Sequence, residues 1–143
     1  MFVPLLFSKM ELHLEIIGCI LIVLGLMHMV IPSYAKWKKE LPALSLLNKQ
    51  LMQVHTFFIA FVVFLIGILC LVSAADFVHT KLGRQLSLCL FVFWFTRLIF
   101  QFAVFSPMLW KGKKFETTMH IIFSVLWAYF TVVFFLIYWG NMT

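Results

Sequence analysis

Four long apolar runs divide the chain, and its polar residues gather between them. The runs are about Leu12–Ile31, closed by Pro32; Val54–Ala75, closed by Asp76; Leu86–Ser106, closed by Pro107; and Thr118–Trp139, closed by Gly140. A helix rises about 1.5 Å per residue, so some 20 apolar residues cross a hydrocarbon core about 30 Å thick. The connections are short, which makes neighbouring helices antiparallel. The pattern therefore predicts an all-α protein: an integral membrane, antiparallel four-helix bundle forming a single transmembrane domain, residues 1–143.

The ends of the first and third runs look alike. Pro32-Ser-Tyr-Ala-Lys-Trp37-Lys-Lys-Glu40 parallels Pro107-Met-Leu-Trp110-Lys-Gly-Lys-Lys-Phe-Glu116, and each leads to a helix with a histidine near its start, His55 and His120. This suggests two related helical hairpins, an arrangement known in membrane proteins. Tryptophan and lysine also recur at any membrane boundary, so the likeness alone does not establish a duplication.

Composition sharpens the membrane reading. The chain is 64% hydrophobic with 18 Phe, against about 45–50% apolar in soluble domains. The net charge of +6 does not point to nucleic acid. Its lysines lie at helix ends, where anionic lipid headgroups attract them, and no nucleic-acid-binding module is present. Cys19, Cys70 and Cys89 all fall in apolar runs and read as small hydrophobes, not as a disulfide framework. Glu11, His13 and Glu15 interrupt any signal-peptide core, so the first helix is expected to be retained. Lys36, Lys38, Lys39, Lys49, Lys111, Lys113 and Lys114 stand on one side against Lys9, Lys81 and Arg84 on the other. The positive-inside rule then puts the first and third connections in the cytoplasm and both termini outside, in a plasma (inner) membrane. Tyr34, Trp37, Trp110, Tyr138 and Trp139 suit the interface. Asn141-Met142-Thr143 is a formal glycosylation sequon, but it abuts the membrane and reads as chance.

The candidate chemistry lies at one depth. His28, His55, His120 and Gln101 fall near the cytoplasmic ends of the four helices, in a layer about 5–8 Å thick, with Arg97 one turn deeper. A buried arginine costs roughly 2.5–3.5 kcal/mol on insertion scales, so it is expected to face protein and find a partner. Arg97 and Gln101 are four apart and share a face with Trp94. Glu116 is the nearest acid, but it lies closer to the surface. Thr117, His120, Ser124, Trp127 and Thr131 make a polar stripe on the fourth helix, leaving its Phe and Val residues for lipid. Gly18 and Gly25 share a side with His28 and allow close helix approach. On the outer side, Glu15 is placed to bond to the second or third helix, whereas His79, in a connection, is expected to be solvated.

Three functions fit this inventory. His28, His55 and His120 suit a transition metal or an axially held haem, with Arg97 and Gln101 completing the cofactor-binding set and redox work on a lipid-soluble substrate as the outcome. Alternatively, Arg97 is the counter-charge for an amphipathic anion that is bound or transported, with the histidines as proton-sensitive gates. The third is a structural or accessory subunit, whose polar groups only lock helices together. The partners expected are the lipid bilayer and a second copy or a larger membrane complex. No glycine-rich phosphate loop, nucleophile elbow or paired carboxylates occur, so no catalytic residue is assigned.

Overall fold

Two of the long helices start ahead of their apolar runs because polar residues outside those runs cap them. The computed structural model describes residues 3–34 and 36–140, so the sequon at Asn141 lies outside the described residues. The protein is all-α, with no strand among the described residues. We label the four long helices α1 (Val3–Met27), α2 (Leu46–Val72), α3 (Lys81–Ala103) and α4 (Lys114–Gly140). Lys9–Met27 of α1 and the whole of the other three are long and apolar enough to cross a membrane.

α2 starts at Leu46 rather than Val54 because the Ser45 hydroxyl accepts from the Asn48 N–H, occupying an otherwise unpaired helix-start donor. Thr80 does the same for α3, accepting from Gly83 N at 2.9 Å. That helix therefore begins at Lys81, not Leu86. α1 stops earlier than expected, at Met27 rather than at Pro32. The Pro32 ring would meet the carbonyl four residues back, that of His28. The chain tightens beforehand: Met29 N bonds Leu26 O at 3.1 Å and Val30 N bonds Met27 O at 2.9 Å. Pro32 then falls within a separate short helix, Ile31–Tyr34. Asp76 likewise does not close α2 but lies inside the short helix Ala74–His79.

The chain forms two compact units. One, Leu12–Ala74, holds most of α1 and all of α2. Its two helices touch through small residues: a Cβ on Gly67 would lie 2.9 Å from the Gly18 carbonyl oxygen, and one on Gly25 would lie 2.9 Å from the Phe64 Cβ. The expected close approach at Gly18 and Gly25 is present. Leu14, Ile17, Leu21 and Leu24 are buried along α1, at the spacing of one helical face.

The other unit comprises Met1–Glu11 and Ala75–Thr143 and contains the α3–α4 hairpin. Phe77 of the connecting helix packs on Phe134 of α4, with centroids 6.3 Å apart. Gly83 lets α3 pass over the backbone of Asp76 and Phe77, where any side chain would collide. One expectation holds only in part here: Val125, Val132 and Phe135 of α4 are exposed, but Phe130, Val133 and Phe134 are buried rather than lipid-facing. Phe91 and Trp94 of α3 present rings that pack on Phe135, Trp127 and Phe130, so aromatic residues supply this core.

Candidate functional site

Arg97 lies six residues before the end of α3, about 9 Å of helix rise. Its spacing from Gln101 places both on one face, and the guanidinium donates to Gln101 Oε1 at 3.1 Å. Gln101 is 6% exposed. Its amide nitrogen donates in turn to His120 Nδ1 on α4 at 2.8 Å. The direction of this chain is forced. Arginine has donors only, so Gln101 must turn its oxygen to Arg97 and its nitrogen to His120. His120 must then accept at Nδ1, as a neutral imidazole with its proton on Nε2.

The surrounding side chains are aromatic. The His120 ring lies flat on Trp110, 3.8 Å between centroids and 9° between planes, and meets Phe102 edge-on at 5.6 Å. Trp110 belongs to the α3–α4 connection, which Thr117 ties down by donating to the Trp110 carbonyl at 2.7 Å. The Arg97 guanidinium carbon sits 5.2 Å from the Trp127 centroid and 5.5 Å from that of Phe105. Trp127 stacks on Trp94 at 5.0 Å. The indole nitrogens of both tryptophans are buried and have no hydrogen-bond partner among the described residues. No described carboxylate forms an ion pair with Arg97.

Three of the five predicted site residues, Arg97, Gln101 and His120, are therefore joined in one hydrogen-bonded chain. His28 and His55 belong to the other unit. Each donates to a helix carbonyl four residues back: His28 Nδ1 to Leu24 O at 2.7 Å, and His55 Nδ1 to Leu51 O at 2.8 Å. Among the described residues, no group of three or more His, Cys, Asp or Glu is placed to hold a metal ion. The polar stripe of α4 also proves less available than its spacing suggested. Ser124 and Thr131 turn their hydroxyls back to the carbonyls of His120 and Trp127.

Two roles went unread in the sequence. Trp110 looked like an interfacial anchor, yet it is the platform under His120. His79, expected to be solvated, bonds Glu11 at 2.7 Å, although it remains about half exposed. Such a pair contributes less than about 1 kcal/mol. Glu15 is exposed, and no described residue forms the hydrogen bond foreseen for it.

No protein-family model matches the chain, and no curated protein or solved structure matches it at a significant level.

Proposed function

We propose that this is a multi-pass membrane protein that binds an amphipathic anion in the α3–α4 hairpin, with Arg97 as the counter-charge. One observation carries the reading: the Arg97 guanidinium is within an apolar helix, has no carboxylate partner among the described residues, and is held between an amide oxygen and two aromatic faces. A hydrogen bond from a charged donor contributes about 1.5–3 kcal/mol and a cation–π contact about 0.5–2 kcal/mol. These offset the cost of placing arginine there, but they leave its charge uncancelled. A carboxylate, sulfonate or phosphate headgroup cancels it, and aromatic neighbours accommodate an apolar body. The unpaired indole N–H groups of Trp94 and Trp127 are further donors in the same cluster.

In this reading the α1–α2 and α3–α4 connections face the cytoplasm of the plasma (inner) membrane, so the anion is taken near that surface. Decanesulfonate is a suitable probe, because its headgroup stays ionised. Protein in zwitterionic nanodiscs is expected to bind it saturably, and Arg97→Gln to weaken binding by about ten-fold or more, the loss of one charged hydrogen bond. Equal binding by the variant rejects the proposal.

A second reading draws on His28 and His55. Each holds its Nδ1–H on a backbone carbonyl, the arrangement that frees Nε2 for a metal or haem iron. Haem or a transition metal there would supply one-electron chemistry. A visible spectrum and elemental analysis of protein purified from replete cells test it. The reading requires haem absorbance or stoichiometric metal that disappears when both residues become alanine, and it fails if the purified protein is colourless and metal-free.

A further inference from the structure

The chain from Arg97 to His120 has a consequence for protons, and it rests on the anion reading above. We infer that anion binding at Arg97 and proton binding at His120 are coupled through rotation of the Gln101 side-chain amide, so that the anion is taken up together with a proton.

Gln101 serves two neighbours with one amide. Its oxygen accepts from Arg97 at 3.1 Å, while its nitrogen donates to His120 Nδ1 at 2.8 Å. A solvent proton that enters His120 at Nδ1 makes that atom a donor. Two donors then face each other, and Gln101 restores the bond only by rotating its amide to present Oε1 to the imidazolium. That rotation turns the Gln101 nitrogen toward Arg97. The guanidinium loses its acceptor and meets a donor, and a second positive charge now stands at the far end of the same amide. An anion at Arg97 removes both penalties: its oxygens replace the amide oxygen, and its charge offsets the imidazolium.

The surroundings favour the switch. Gln101 is buried, so its amide has little water to turn to as an alternative partner. The Trp110 face lies parallel to the His120 ring at 3.8 Å, and an indole face attracts a cation. Within this unit the charged groups on the elements around His120 are Arg97 on α3, with Lys81 and Arg84 at the opposite end of that helix, Lys114 and Glu116 on α4, and Lys111 and Lys113 in the connection. Glu116 stands one helical turn before His120 and is half-buried. Arg97 is the one linked to His120 by hydrogen bonds through Gln101. Thermodynamic reciprocity makes the effect mutual: a proton that promotes anion binding is itself bound more tightly once the anion is present.

The test uses decanesulfonate and the full chain in zwitterionic nanodiscs at pH 8 and pH 5, the range over which imidazoles change charge. Wild type is expected to bind about ten-fold more tightly at pH 5, a typical coupling factor. His120→Gln keeps a hydrogen-bonding side chain but cannot take up a proton, so its affinities at the two pH values should agree within about two-fold. A direct measurement needs no variant: adding the probe to weakly buffered wild-type protein near pH 6.5 should raise the solution pH through net proton uptake. Arg97-dependent binding with equal affinity at both pH values and no proton uptake overturns the coupling while leaving the anion site standing. Absence of probe binding at either pH overturns the anion site, and the coupling with it.

Discussion

At the scale of single residues, the proposed anion site rests on Arg97 and on the hydrogen-bonded chain through Gln101 to His120. Trp127 supplies an aromatic face 5.2 Å from the guanidinium carbon. Trp127→Ala removes a contact of about 0.5–2 kcal/mol, so decanesulfonate affinity measured by calorimetry is expected to fall between roughly two-fold and thirty-fold. Replacing Gln101 with Leu leaves Arg97 and His120 without their shared partner. That should lower the midpoint of thermal unfolding in detergent, since each buried polar group left unpaired costs about 1–3 kcal/mol. The sequence exposed the Arg97–Gln101 pair directly, because a spacing of four fixes a shared helix face. It also placed His120 at the same depth, and the hydrogen bond between Gln101 and His120 realises that depth as contact. It did not expose Trp110 as the platform under His120, because ring orientation in a connection follows from tertiary packing and not from periodicity.

At the scale of elements, apolar length was legible and helix ends were not. The apolar runs correctly counted four helices, yet Ser45 and Thr80 moved two starts outward by capping. Pro32 ended α1 earlier than its own position because its effect falls on the preceding turn. Thr80→Ala should cost about 1 kcal/mol, the usual value of a lost helix cap. Gly67→Val should cost more, about 1–3 kcal/mol, because it forces side-chain atoms against the Gly18 carbonyl and the Ile22 backbone. Thermal unfolding of the two purified variants should rank Gly67→Val below Thr80→Ala and both below wild type. Each of the two units contains one long-helix pair, as two related hairpins would require. The two histidines differ: His55 is exposed and bonds its own helix, whereas His120 is half-buried and bonds Gln101 of α3. Equivalent sequence positions therefore have different surroundings.

At the scale of the whole molecule, four helices long enough to span a bilayer and a marked asymmetry of lysines define the membrane setting. The anion account requires the α3–α4 connection on the cytoplasmic side, close to Arg97. Cysteine placed at Lys113, with Cys19, Cys70 and Cys89 replaced, should react in intact cells only with a membrane-permeant reagent; labelling by an impermeant one would invert the topology. The most direct examination of the central claim is an experimental structure with a bromine-tagged alkyl sulfonate, locating the tag by its anomalous scattering. The account predicts sulfonate oxygens about 3 Å from the Arg97 guanidinium, with the alkyl chain among the aromatic side chains of α3 and α4. A sulfonate bound elsewhere while Arg97 stays on Gln101, or none bound at saturating concentration, would contradict it.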